Sequence, residues 1–280
     1  MTTDPQALDQ AAKARAFRDL HHRGRAFIIP NPWDAGTARL LAQLGFEALA
    51  TTSAGFAFSL GQADNTVTRA QMMRHLETIV TATPLPVSAD LENGFGDSPD
   101  TVAETIVLAA AAGVVGGSIE DATARPEDPI YGRGLAVERI RAAATAARAL
   151  PFPFTLTARC ENYLVGRPDL ADTILRLQAY QEAGADVLYA PGLSTADEIG
   201  AVVRSVDRPV NVVVGLKGVQ LNLAELSALG VRRVSVGSAL ARAALGAFHR
   251  AATEMRERGT FDFAASAMSM KDLSDRFTPA

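Results

Sequence analysis

Eight short apolar, β-branched runs recur along this chain, each separated from the next by a stretch with helical periodicity, and this alternation restricts the fold more than any other feature. The runs are Phe27-Pro30, Ala48-Thr52, Val87-Glu92, Gly117-Asp121, Phe154-Arg159, Val187-Ala190, Val210-Val214 and Val234-Gly237. Helices are expected over 35–44, 68–82, 99–112, 135–149, 170–183, 195–205, 221–229 and 238–258, with an amphipathic helix over 5–23 ahead of the first strand. Gly45, Gly113, Gly184 and Gly230 each follow a helix and precede an apolar run, where a residue tolerating positive φ ends the helix at little cost. Eight β/α units in 280 residues fit a (β/α)8 barrel of the TIM type better than an open doubly wound sheet.

The 48 % apolar content is enough for a full core, and the chain reads as one domain over 1–280, with a barrel over about 27–258 and an extension over 259–280. The extension carries Phe261, Phe263, Met268, Met270, Leu273 and Phe277 among polar residues. It packs either on its own barrel or on a neighbouring subunit, the latter giving a homo-oligomer (dimer or tetramer) with exchanged C-terminal helices. Net charge is −4, and the 27 basic residues, only three of them lysine, form no run, so neither nucleic acid nor an anionic membrane is an expected partner. No apolar stretch approaches a membrane span, and the single cysteine, Cys160, fits a reducing, cytoplasmic setting.

Several runs end in charge. In a parallel barrel all C-terminal strand ends open onto one mouth, so Asp90, Glu92, Glu120 and Arg159 are expected to meet there. Alternation puts Ser88, Asp90 and Glu92 on one face, likewise Ser118 with Glu120 and Thr157 with Arg159, and directs Asp121 and Cys160 away. Clustered carboxylates require a cation or an arginine, and hard oxygen donors without a histidine on any strand suit Mg²⁺ rather than Zn²⁺. The expected metal set is Asp90, Glu92 and Glu120; the alternative is structural pairing with Arg159. Gly94 and Gly96 would let the loop backbone approach a ligand.

The two longest strand-to-helix connections run over 53–67 and 122–134, lengths usual for lids and ligand clamps. Thr52-Ser53-Ala54-Gly55 opens the first and either presents N–H groups to a substrate carboxylate or forms an ordinary turn. Asp64 in the same loop is a general acid/base or a cap for the helix near Thr68. His21 and His22 are expected at the surface, and Cys160 as a packed thiol. A rival barrel chemistry would use Lys217 as an imine former and Ser235-Val236-Gly237-Ser238 as a phosphate cradle at a helix N-terminus.

Asn31-Pro32-Trp33-Asp34-Ala35-Gly36, Ser88-Ala89-Asp90-Leu91-Glu92-Asn93-Gly94-Phe95-Gly96, Ser118-Ile119-Glu120-Asp121 and Thr157-Ala158-Arg159 resemble, in the same order, motifs of the isocitrate lyase/phosphoenolpyruvate mutase superfamily, from about Phe27 to Phe248. The resemblance implies a modified (β/α)8 barrel and a Mg²⁺-dependent enzyme that breaks a C–C or P–C bond beside a 2-oxo carboxylate through an enolate-like intermediate. It maps Asp90 onto the metal-coordinating aspartate, Glu92 and Glu120 onto carboxylates holding the metal's waters, and Arg159 onto the substrate-binding arginine. Ser53, Ala54 and Gly55 map onto the loop gripping the substrate carboxylate, and Asp64 onto the gating-loop aspartate. Two departures narrow the chemistry: residues 122–134 contain none of the Cys and His of the lyase lid motif, and Tyr189-Ala190-Pro191 stands where mutases place a histidine. The expected activity is a carbon–carbon lyase or a 2-oxo diacid decarboxylase; a silent 2-oxo acid binder and a phosphonomutase are the alternatives.

Overall fold

A computed structural model describes residues 5–215 and 220–278. Helix α1 (Pro5–Leu20) precedes strand β1 (Phe27–Ile29), followed by α2 (Ala35–Gln43), β2 (Leu49–Ala50), α3 (Ser53–Ser59), α4 (Arg69–Ala82), β3 (Val87–Asp90), α5 (Pro99–Ala111), β4 (Gly116–Glu120) and α6 (Arg133–Arg148). The second half runs through β5 (Thr155–Arg159), α7 (Leu170–Glu182), β6 (Val187–Tyr189), α8 (Ala196–Arg204), β7 (Val210–Val213), α9 (Leu223–Ala228), β8 (Arg233–Ser235) and α10 (Ala239–Arg258), ending in α11 (Met270–Phe277). The eight strands are all parallel in the order β1-β8-β7-β6-β5-β4-β3-β2, and the Ala50 N–H donates to the Pro30 carbonyl at 3.1 Å across the remaining gap. The sheet is a nearly closed (β/α)8 barrel.

Local chemistry sets the helix starts. Asp34, Thr68, Ser98, Asp169, Thr195 and Asn222 each accept an N–H of the first helical turn, supplying acceptors that the turn itself lacks. The layer between sheet and helices is aliphatic: Leu91, Ile106, Ile119, Leu156, Leu177 and Ile199 are fully buried, each stabilising the fold by about 1.5–3 kcal/mol.

Helix α1 closes the N-terminal end of the barrel. Phe17 and Ala14 pack with Phe27, Ile29, Ala48 and Val115, and Gly116 is required beneath them, since a Cβ there would lie 2.9 Å from Phe17 Cε1 and 2.8 Å from the Thr155 carbonyl oxygen. His21 belongs to this plug, contrary to the surface position expected for it. It is buried, its Nδ1 lies 2.9 Å from the Phe17 carbonyl oxygen, and its ring meets Phe17 and Phe27 edge-on. Burial, then the charge of Arg233, lowers its pKa to about 3 and keeps it neutral. His22 is exposed, as expected.

Two further differences matter. Residues 53–59 form a helix where only a loop is expected, and the 122–134 connection folds back on itself through a bridge between Ala122 and Ile130 and is tied to Asp97 by Arg125 and Tyr131. The C-terminal helix α11 lies on α2 of its own chain: the Gln43 side chain donates to the Arg276 carbonyl, and a Cβ at Gly36 would lie 3.8 Å from Phe277. No helix among the described residues is long and apolar enough to cross a membrane.

Candidate active site

Strand register brings the charged ends together. Asp90 on β3 pairs with Ser118 on β4, Ser118 with Thr157 on β5, and Glu120 with Arg159 one step further along. Asp90 is fixed from several sides: its N–H donates to Thr51 Oγ1 at 2.9 Å, while its Oδ2 accepts from the Ser53 N–H at 3.0 Å and the Ser53 hydroxyl at 2.8 Å. Ser53 is placed by α3, whose cap Thr52 accepts the Gly55 N–H. Gly55 has no room for a side chain, because a Cβ would meet Thr52 Cγ2 at 2.6 Å, Trp33 Cβ at 3.1 Å and Ala241 Cβ at 3.2 Å. Ser53 and Gly55 therefore spend their N–H groups inside the protein, and Ala54 lies between them, half-buried.

Arg159 is the hub. Its Nη1 lies 3.0 Å from Asp90 Oδ1, its Nη2 3.1 Å from Glu120 Oε2 and its Nε 2.9 Å from Glu161 Oε1, with the Tyr189 ring 5.1 Å from the guanidinium carbon. Glu161 was absent from the sequence-derived set. The alternation that joins Thr157 to Arg159 reaches it if carried two residues past the strand, and its placement depends on Asp121. That carboxylate points outward, accepts the Glu161 N–H at 2.8 Å, and is held by Arg176 and Tyr180 of α7.

Glu92 reaches the mouth by a route that simple alternation does not describe. Strand β3 stops at Asp90, and Glu92 sits in the left-handed region at φ 50°, a strained turn for a non-glycine residue. Arg139, buried and packed 4.1 Å over the Tyr131 ring, anchors the next turn by donating to the carbonyls of Asn93, Gly96 and Asp97. Gly94 and Gly96 are required by that packing: Gly94 has a positive φ, and a Cβ at either position would meet Val102 or Thr101 of α5. Glu92 and Glu120 line a pocket of about 370 Å³ between the two long loops, with Asn65, Thr68 and Phe95 on its wall.

The electrostatics are those of a site with too much negative charge. Burial, and then the charges of Asp90 and Asp64, push Glu92 up to about 8, and its Oε1 is buried with no partner among the described residues. Burial raises Glu120 well above the usual carboxylate range against the pull of Arg159, and raises Glu161 in the same way. Asp64, exposed on its loop but facing the cluster, is raised by desolvation and by Asp90. It does not cap α4; Thr68 does.

Two other expectations are decided by position, and a third falls outside the described residues. Cys160 is buried and its thiol is pushed well up by burial, which leaves no thiolate for catalysis. Lys217 lies outside the described residues. The cradle at 235–238 is already filled, since Asn31 Oδ1 accepts from the N–H groups of Val236 and Gly237, both at 2.9 Å.

Residues 17–256 match the family model described as Phosphoenolpyruvate phosphomutase. The chain belongs to the phosphoenolpyruvate phosphomutase family. A crystal structure of a putative lyase/mutase from Burkholderia cenocepacia is 69 % identical, covers 97 % of both chains and superposes with a TM-score of 0.95. Oxaloacetate decarboxylase of Pseudomonas aeruginosa is 31 % identical over 265 residues, 91 % of this chain and 89 % of that one. A phosphonopyruvate hydrolase crystallised with oxalate and Mg²⁺ shares 27 % identity and a TM-score of 0.83 over 94 % of each chain. The family assignment agrees with the motif resemblance around Asp90, Glu120 and Arg159.

Proposed function

We propose that this protein is a Mg²⁺-dependent lyase that cleaves a C–C bond next to the carboxylate of a small 2-oxo acid, as a carbon–carbon lyase or a 2-oxo diacid decarboxylase. The observation that carries the reading is the convergence of Asp90, Glu120 and Glu161 on Arg159, beside a Glu92 whose buried oxygen lacks a partner. The carboxyl groups there outnumber the one guanidinium, and all are hard oxygen donors, which suits Mg²⁺. Among the described residues no three Asp, Glu, His or Cys side chains are arranged to ligate one ion directly. That fits a cation that retains several waters, with Asp90 as its protein ligand and Glu92 and Glu120 holding those waters. When bound, Mg²⁺ supplies Lewis-acid polarisation of the 2-oxo group.

The remaining work falls to the chain. Arg159 keeps N–H groups on Nη1 and Nη2 beyond those given to Asp90 and Glu120, and these bind the ligand carboxylate and stabilise negative charge as the bond breaks. Ser53 holds Asp90 in place, and its turn with Ala54 and Gly55 borders the substrate. Asp64, raised by desolvation and by Asp90, holds a proton to higher pH than an ordinary aspartate and delivers it to the carbon left behind. Loops 53–67 and 122–134 exclude water over the site. The missing lid cysteine and histidine favour decarboxylation, which needs less proton traffic than lyase cleavage. The relatives with named activities on oxaloacetate and phosphonopyruvate support the substrate class.

Exposed Leu245 and Phe248 on α10, Phe261 in the connection after it and Met270 on α11 support a homo-oligomer built on the C-terminal segment. The single buried cysteine is consistent with a cytoplasmic protein. The test is turnover of oxaloacetate and other 2-oxo acids with and without Mg²⁺, in wild type and Asp90→Ala. The expected result is metal-dependent turnover that the substitution abolishes; metal-independent turnover, or an active Asp90→Ala, would overturn the reading.

A further inference from the structure

Below the mouth the barrel interior is polar, and one cation in it has no anionic partner. Register pairs Arg233 with Asn211 on one side and Phe27 on the other, a layer deeper than Ser235. Arg233 is 5 % exposed; its Nε donates to Asn211 Oδ1 at 2.9 Å, and its Nη1 is buried with no hydrogen-bond partner among the described residues. No described carboxylate forms a salt bridge with it, since Asp90, Glu120 and Glu161 all belong to Arg159. His21, its neighbour in the plug, is neutral and offers no charge.

A buried guanidinium left unpaired costs several kcal/mol, so a fold that retains one is expected to supply it with an anion under working conditions. The space exists. A cavity of about 50 Å³ runs from Asp90 and Arg159 at the mouth to Asn211, Arg233 and Ser235, more than a single water needs. Asn31, Thr51, Ser88 and Ser118 also line this cavity, so the bore offers polar side chains to an occupant.

We propose that this bore is a carboxylate subsite in which Arg233, a specificity-determining residue, receives the second acidic group of a dicarboxylic 2-oxo acid whose 2-oxo carboxylate lies at the mouth. The inference rests on the function proposed above and narrows its substrate class. A one-ended acid such as pyruvate leaves the Nη1 donor unmet; a diacid satisfies it.

Calorimetry on the full chain with Mg²⁺ tests this, using 3,3-difluoropyruvate and 3,3-difluorooxaloacetate, which differ in the second carboxylate, with pyruvate as a further one-ended acid. Arg233→Met should weaken the diacid by about tenfold or more while changing the one-ended acids by less than about twofold. Arg233→Lys, which keeps the charge without the fork, should recover part of the loss; should Arg233→Met fail to fold, a severalfold weakening of the diacid alone in Arg233→Lys supports the subsite. Equal losses for the diacid and the one-ended acids would show a purely structural, water-filled bore and overturn the inference. If none of these acids binds wild type, the parent reading fails separately, and metal-free crystals soaked in bromide then decide: a bromide on Arg233 Nη1 supports an anion subsite, and none there overturns it.

Discussion

Replacing Glu92 by glutamine in metal-free protein should stabilise the fold, and increasingly so as pH rises. The folded carboxyl is raised from 4.5 to about 8, so the folded state binds its proton more tightly than the unfolded chain does. For an acid shifted upward, the associated stability is complete below about pH 4.5 and is lost as pH climbs to about 8. At about 1.4 kcal/mol for each pH unit between the two values, less near each end, the burden of ionising Glu92 grows by roughly 3.5 kcal/mol between about pH 5 and about pH 8. Glutamine keeps the shape and removes the titration. Urea unfolding of both proteins in EDTA across that range should therefore show two curves that nearly meet at the acid end and diverge toward alkaline pH, wild type lower. Added Mg²⁺ should narrow the gap by stabilising wild type far more than the variant. Parallel pH profiles, or a variant that falls below wild type at alkaline pH without metal, would refute the argument that Glu92 carries an uncompensated charge.

Arg159→Lys should weaken 2-oxo acid binding by about 2 kcal/mol, roughly thirtyfold, because a single ammonium cannot serve Asp90, Glu120, Glu161 and a ligand together; calorimetry with oxalate should show a smaller change in Mg²⁺ affinity. Cys160→Ala should leave turnover within about twofold and cost about 1 kcal/mol of stability, as expected for removing a packed thiol, with steady-state kinetics and denaturant melts as the readouts.

The barrel was legible because the β/α units repeat an apolar run and a helix, most of the helices with a side-chain cap, and Gly45, Gly113, Gly184 and Gly230 add a positive-φ glycine between helix and strand. The convergence of Asp90, Glu120 and Arg159 followed from parity alone, since parallel strands in a closed sheet share one open end. Helix α3 was hidden because seven residues containing a glycine, two phenylalanines and two serines carry little helical signal; its formation depends on the Thr52 cap and the packing around Gly55. Glu92 reaches the mouth by a geometry the sequence did not suggest, a left-handed turn standing where strand alternation was expected. Arg233 stood just outside the expected eighth strand, and nothing in Val231-Arg232-Arg233-Val234 says which arginine enters the bore; only the register against Asn211 decides it. His21 was misplaced for a different reason: it follows a helix that plugs the barrel, and the charged residues around it disguise its burial against Phe17 and Phe27.

The central claim is that Asp90, Glu92, Glu120 and Arg159 form one metal and 2-oxo acid site. Crystals grown with Mn²⁺ in place of Mg²⁺ and with oxalate test it most directly, through the anomalous signal of the ion. The account predicts one Mn²⁺ bound to an Asp90 carboxylate oxygen, with oxalate beside it and within reach of Arg159; an ion elsewhere in the barrel, or oxalate bound with no ion at Asp90, would contradict it.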